Sequence, residues 1–202
     1  LDRSVVDPDS RQWTMKDYCD PEHPLQRMIA EEIASFTGEP VGTSGIDGCG
    51  APVAAVSALG LARAYSTLGT AIRNMDADAR ASTVATAMVD YPELIQAPGM
   101  PDTVLSEQLD AVVKSGAAGV LCVGLRSGAS VVVKISDGAT RAAYPVALWA
   151  LEATGHLPSE QVQQLLPQVT RPVIGGVQDN APREVGRWVP GADLEPLVGE
   201  SA

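Results

Sequence analysis

Hydrophobic residues in the first half of the chain recur at helical spacing. Five apolar residues between Asp20 and Gly38 follow the helical period: Leu25, Met28, Ile29, Ile33 and Phe36. Further helices are predicted from Pro52 to about Arg73, from Asp78 to Tyr91, and from Pro101 to about Asp110, where Asp102 is expected to cap.

The pattern changes after residue 110. Ala111 to Gly116 is predicted to be a short strand, and two β-branched runs, Val120 to Leu125 and Val131 to Ile135, flank a Ser-Gly turn that is typical of a hairpin. A helix to about Thr154 and a shorter one from Ser159 to Leu166 follow, with extended pieces near Val173 and Trp188. Because helices and strands are segregated, the predicted class is α+β. The predicted organisation is a loop-like segment 1–19, helices over 20–110, a sheet with a covering helix over 111–157, and a tail over 158–202.

Composition narrows the function. The 14 basic and 25 acidic residues give a net charge of −11, which disfavours nucleic acid and anionic membrane surfaces as partners. Three cysteines are an odd number and favour a reducing compartment over a disulfide scaffold. The polar first twelve residues do not resemble a signal peptide, and no apolar run approaches the roughly 18 residues of a membrane span. We therefore expect a cytoplasmic protein.

The first candidate site is the glycine-rich segment from Gly45 to Gly50, which contains Asp47 and Cys49. If a helix begins at Pro52, its positive end would favour the thiolate of Cys49. Thiolate and carboxylate could then face one metal ion or one substrate ammonium group. The alternative is a tight turn with a buried, inert cysteine.

The second candidate is Lys114-Ser115-Gly116, at the end of the first predicted strand. An ammonium group, a hydroxyl and a glycine on a sheet edge can contact a substrate carboxylate and let a carbonyl approach the backbone. The order strand, tight turn, strand and helix after this triplet is that of the serine β-lactamases and penicillin-binding proteins. The alternative is a solvated lysine at a strand end.

A complete active site cannot be assembled from these residues. A Ser-x-x-Lys pair needs a serine three residues before a lysine. The residues three positions before the three lysines (Lys16, Lys114 and Lys134) are Trp13, Ala111 and Val131, so the sequence contains no such pair. Phosphate-binding glycine loops, the G-x-S-x-G elbow and the H-E-x-x-H zinc motif are also missing from the sequence.

Four ordered segments together resemble the asparaginase II family of thermolabile, rhizobial-type L-asparaginases. They are Asp20 to Gln26, Gly45 to Gly50, Gly116 to Gly119 together with Cys122 to Leu125, and Val133 to Gly138. The resemblance covers about Asp20 to Leu157. It implies a β-lactamase-like or glutaminase-like fold, homodimers, and hydrolysis of the small amide L-asparagine to aspartate and ammonia.

The same resemblance implies the roles of individual residues. Family members use a Ser-x-x-Lys nucleophile and base, a second serine, and a zinc ion held by a Cys-x-x-Lys segment and by the cysteine of the glycine-rich loop. Carried over, Cys49 would be a zinc ligand and Asp47 would contact metal or substrate. Lys114 and Ser115 would be catalytic, and Gly116 would shape the substrate pocket. We expect the Asp47–Cys49 turn and the Lys114 strand end to face one cleft.

In the family, three functional segments come before the Asp-Pro-Glu-His stretch: Ser-x-x-Lys, the second serine and Cys-x-x-Lys. The 19 residues before Asp20 contain none of these segments. We therefore expect the chain to be the C-terminal portion of a longer hydrolase, with a missing N-terminal segment as its partner. Two alternatives are a non-catalytic binding module on the same scaffold and a glutaminase-type acyl hydrolase.

Overall fold

A computed structural model describes residues 17–42, 44–171, 173–178 and 181–191. These residues form two compact units, one ending at Gly60 and the other beginning at Leu61. The sequence-based division at residues 19 and 157 remains a prediction, and the loop-like segment expected over 1–19 falls outside the described residues up to residue 16.

The first unit contains helix α1 (Pro24–Thr37) and a hairpin of β1 (Ser44–Ile46) and β2 (Pro52–Ala54). His23 caps α1, because its Nδ1 accepts a hydrogen bond from the Leu25 N–H at 3.1 Å. Gly38 ends the helix in the left-handed conformation, as predicted, at φ 68°.

The helix predicted from Pro52 is wrong at its beginning. Pro52 pairs with Ile46 in the antiparallel hairpin, and helix α2 begins at Ala58 (Ala58–Ala71). Proline is compatible both with the first turn of a helix and with the start of a short edge strand, because neither position requires a backbone N–H donor.

Helix α2 crosses the boundary between the units. The second unit continues with the following elements: α3 (Ala79–Asp90), α4 (Pro101–Leu109), β3 (Ala111–Gly116), β4 (Val120–Leu125), β5 (Ser130–Lys134), α5 (Ala143–Ala153), α6 (Ser159–Val169), β6 (Val173–Gln178) and β7 (Ala181–Gly186). Helix α3 is capped by Asp78, whose Oδ1 accepts hydrogen bonds from two backbone N–H groups at 2.9 and 3.1 Å. The helical region followed by antiparallel strands and a covering helix confirms the predicted α+β class.

Strands β3, β4 and β5 form an antiparallel sheet in that order, with Val113 opposite Val123 and Val123 opposite Val131. The predicted strand limits agree with the structure to within one residue. One face carries Ala111, Val113, Leu121, Val123 and Val133 into the main core. Helix α5 covers that face with Ala147, Leu148 and Leu151, and α6 adds Val162, Leu165 and Val169. Burial of this aliphatic surface is the main stabilising contribution of the second unit.

Helix α2 approaches the sheet very closely through two glycines. A Cβ atom at Gly124 of β4 would overlap the Tyr65 carbonyl, and one at Gly69 of α2 would overlap the Leu125 carbonyl. Two further contacts hold this part of the helix, since Ser130 Oγ donates to the Ala62 carbonyl at 2.7 Å and Ser66 Oγ to the Gly128 carbonyl at 2.6 Å. Within the described ranges, none of the helices has the length and apolar character that a membrane span requires.

Candidate active site

Lys114, Ser115 and Gly116 are the last three residues of β3, an edge strand of the three-stranded sheet. Lys114 and Gly116 are exposed, and Ser115 is half-buried. The Lys114 ammonium group donates to the carbonyl oxygen of its neighbour Ser115. The strand end therefore presents a cation, a hydroxyl oxygen and an open backbone to one edge.

The buried carboxylate of Asp102 forms hydrogen bonds with this end of β3. Its Oδ2 accepts hydrogen bonds from the backbone N–H and the hydroxyl of Ser115, both at 2.8 Å, and its Oδ1 accepts one from the Tyr144 hydroxyl at 2.8 Å. The Asp102 backbone N–H in turn donates to Gln96 Oε1 at 2.8 Å. Asp102 is only 2% exposed, so these hydrogen bonds replace the water that an ionised carboxylate would otherwise need.

The prediction that Asp102 caps helix α4 is wrong. The N-cap position belongs to Met100, which makes no capping hydrogen bond, and Asp102 is the second helical residue. A carboxylate in the first helical turn still favours the helix dipole. The Asp102 carboxylate instead accepts hydrogen bonds from Ser115 and Tyr144, because packing brings their donor groups within reach. These donors compete with the backbone N–H groups of the helix.

The hydrogen bonds determine what Ser115 can offer a ligand. Because the Ser115 hydroxyl donates its hydrogen to Asp102, its oxygen is left as an acceptor. Ser115 is therefore suited to bind an N–H donor. Burial raises the pKa of Tyr144 to about 12, and the nearby Asp102 carboxylate acts in the same direction. Tyr144 consequently remains a neutral hydrogen-bond donor at physiological pH.

Cys122 lies opposite Lys114 in the β3–β4 register and is 3% exposed. Burial raises its pKa to about 11, although the Lys114 charge opposes the shift. The sequence-based interpretation of Cys122 as a core residue is confirmed, and its thiol stays protonated. Burial also raises the pKa of Tyr65, which belongs to helix α2.

Asp47 and Cys49 occupy the exposed turn between β1 and β2 in the first unit. The Asp47 N–H donates to the Ala51 carbonyl and the Gly50 N–H to the Asp47 carbonyl, both at 2.9 Å. Within this turn Cys49 Sγ lies 3.8 Å from Asp47 Oδ2. Since no helix begins at Pro52, the expected stabilisation of the thiolate by a helix dipole is wrong. The alternative of a buried cysteine is also wrong, because Cys49 is exposed.

The turn supplies two donors of the kind that zinc prefers, a thiol and a carboxylate. A structural zinc ion takes four ligands, and the described part of the chain contains no group of three or more histidine, cysteine, aspartate or glutamate side chains arranged for a metal. These residues alone therefore do not fit a zinc ion. The expectation that this turn and the Lys114 strand end face one cleft remains a prediction.

The sequence indicates Lys114, Ser115 and Gly116 as candidate site residues, and their roles remain a prediction. It gives no such indication for the hydrogen-bond partners Asp102, Tyr144 and Gln96. The polar partners are up to 42 positions apart in the chain, and no local pattern connects them. The position of Asp102 directly after Pro101, at a predicted helix start, is the one sequence signal for this residue, and helix capping explains that position equally well.

The sequence model of the L-asparaginase II family matches residues 7–187. No curated protein matches the chain.

Proposed function

The chain belongs to the L-asparaginase II family, and we propose that it hydrolyses L-asparagine to L-aspartate and ammonia. Family membership implies amide hydrolysis in general, and the observation that carries the proposal is that the match spans both candidate segments, Asp47–Cys49 and Lys114–Gly116. The choice of asparagine as substrate is the proposed part.

The strand end of β3 suits an amino-acid substrate. In this proposal the Lys114 ammonium group binds the substrate α-carboxylate, since exposed cations recognise carboxylates through charge-assisted hydrogen bonds. Ser115 Oγ accepts a hydrogen bond from the substrate ammonium or amide N–H. Gly116 lets the substrate approach the backbone because it has no side chain. Asp102 acts as a positioning residue that keeps Ser115 in this orientation.

The reaction itself needs a nucleophile, and the 202 residues contain no Ser-x-x-Lys pair. We propose that polypeptide outside these 202 residues supplies it. The serine hydroxyl, deprotonated by its lysine, forms a bond with the side-chain amide carbon of asparagine. The C–N bond breaks and ammonia leaves with the transferred proton. Water then hydrolyses the ester to aspartate and regenerates the serine.

We also propose that Cys49 and Asp47 contribute ligands to a zinc ion whose other ligands come from elsewhere. The support is their 3.8 Å separation in an exposed turn and the chemistry of the two donors. Cys49→Ala should lower the zinc content of the longer protein measured by atomic absorption, whereas Cys122→Ala should not. Unchanged zinc stoichiometry in Cys49→Ala would refute the assignment.

The activity is tested by following aspartate and ammonia release from L-asparagine, with L-glutamine as the competing substrate. We expect turnover of asparagine by the protein that contains this chain together with its preceding coding sequence, and none by the 202 residues alone. Preference for glutamine would favour a glutaminase-type hydrolase. Absence of turnover in both forms, with tight binding of asparagine, would favour a non-catalytic binding module. The homodimer and the cytoplasmic location expected from the sequence remain predictions.

A further inference from the structure

A cavity of about 550 Å³ lies in the second unit, bordered by the start of α4, the start of α5, the end of α6 and the β6–β7 hairpin. This volume is in the range of cavities that hold small organic ligands. Two of its polar lining residues, Tyr144 and Gln96, belong to the hydrogen-bond network around Asp102. Its apolar wall is built from Met100, Val169, Val173 and Trp188.

The charge of this cavity is opposite to that of the protein. Arg141 and Arg171 line it, and none of the described lining residues is acidic, although the whole chain carries a net charge of −11. Arg141 is partly neutralised by Asp137, at 3.2 Å. Arg171 makes no ion pair with the described part of the chain, so its guanidinium group remains available to a ligand.

A second, smaller cavity of about 320 Å³ adjoins the first and shares Arg171 and Trp188 with it. Arg187 and Glu184 line this neighbour and carry opposite charges. Asp137 and Glu184 are each accompanied by an arginine, and a third carboxylate, the buried Asp102, accepts a hydrogen bond from Tyr144 in the lining of the larger cavity. Among the described residues, Arg171 is therefore the lining arginine of the larger cavity that makes no ion pair with a carboxylate.

We propose that the larger cavity binds a small planar organic carboxylate. The planar guanidinium group of Arg171 matches a carboxylate with two parallel hydrogen bonds. Trp188 offers a flat apolar surface to the body of the ligand, and Met100 and Val173 complete the enclosure. An inorganic anion would satisfy the arginines but would leave these apolar walls in contact with water. Arg171 and Trp188 have no role in the proposed amide hydrolysis, although Tyr144 and Gln96 of the cavity wall contact Asp102, which positions Ser115.

The test is isothermal titration calorimetry of the 202-residue chain with 2-naphthoate, and with 2-naphthamide as the uncharged probe of the same shape. We expect saturable binding of 2-naphthoate and binding of the amide at least about tenfold weaker, because the amide lacks the charge that Arg171 recognises. Inorganic phosphate should compete poorly.

Arg171→Met should raise the dissociation constant for 2-naphthoate by about tenfold. Arg63→Met is the matched control, because Arg63 is an exposed arginine of α2 that does not line the cavity. Trp188→Leu should weaken binding while circular dichroism shows an unchanged fold. The proposal is overturned if 2-naphthoate does not bind, if both arginine variants weaken binding equally, or if phosphate displaces the probe at equal concentration.

Discussion

Replacing Asp102 tests whether the buried carboxylate holds the β3 strand end. Asp102→Ala leaves three donors without their partner: the Tyr144 hydroxyl and the N–H and hydroxyl of Ser115. A buried donor left unsatisfied costs roughly 1–3 kcal/mol. Tyr144 is 6% exposed and would suffer most of this cost, whereas half-buried Ser115 can recover part of its bonding from water. We expect a total loss of about 3–5 kcal/mol in the free energy of unfolding.

Three comparison variants separate the loss of this hydrogen-bond network from the general effect of replacing an aspartate. Tyr144→Phe removes one of the three hydrogen bonds and should cost about 1 kcal/mol. Asp78→Ala is the matched control at an exposed helix cap, where the cost should also be about 1 kcal/mol. Asp102→Asn should fall between Tyr144→Phe and Asp102→Ala, since its oxygen can still accept from Ser115 and its amide can donate to the Tyr144 oxygen.

The free energies are measured by guanidinium chloride unfolding followed by circular dichroism at pH 7. The reasoning would be refuted if Asp102→Ala lost no more stability than Asp78→Ala. If Asp102→Ala does not fold at all, the ranking of Asp102→Asn and Tyr144→Phe carries the test, and a larger loss in Tyr144→Phe would contradict it.

Three further predictions concern thiols, glycines and pH. Iodoacetamide should label exposed Cys49 in the folded protein and Cys122 only after unfolding, because the Cys122 thiol is buried and its pKa is raised to about 11. Labelling is measured by peptide mass spectrometry, and equal labelling rates of the two cysteines would contradict this prediction. Gly124→Ala should destabilise the chain by about 3 kcal/mol because its Cβ would overlap a backbone carbonyl of α2, whereas Gly116→Ala, with its nearest neighbour at 3.4 Å, should be nearly neutral in the same unfolding assay. The pKa of Asp110 is lowered by Arg73 first and Arg126 next, so its stabilising contribution is present above the ordinary aspartate pKa and is lost as the pH falls through the lower folded-state value. Asp110→Asn, which suits the left-handed φ of 48° at this position, should flatten the acid side of the stability profile, and an unchanged profile would contradict the assignment.

The strands of the second unit could be predicted closely because local signals agree there. The β-branched runs have the length of buried strands, and Gly128 lies in the left-handed conformation that the Ser-Gly turn requires. Gly38 and Asp78 likewise marked helix limits correctly through their capping chemistry. Local backbone chemistry sufficed at all of these positions.

The errors arose where one residue type serves two local roles. Pro52 begins a strand of the hairpin, whereas the sequence predicts a helix there. Without that helix, Cys49 has no adjacent helix dipole. The sequence predicts a capping role for Asp102, but its side chain bonds Ser115 and Tyr144, which belong to other elements of the fold. Long-range hydrogen bonds of this kind depend on packing, which the spacing of residues does not encode.

In the proposed function, Lys114 at the end of β3 binds the α-carboxylate of L-asparagine. The most direct measurement is kcat/KM for L-asparagine in the longer protein carrying Lys114→Met, compared with Arg63→Met, which removes the same charge from an exposed side chain outside the strand end. We predict a fall of at least about tenfold for Lys114→Met, from the loss of a charge-assisted contact, and little change for Arg63→Met. Equal values of kcat/KM in the two variants would contradict the claim.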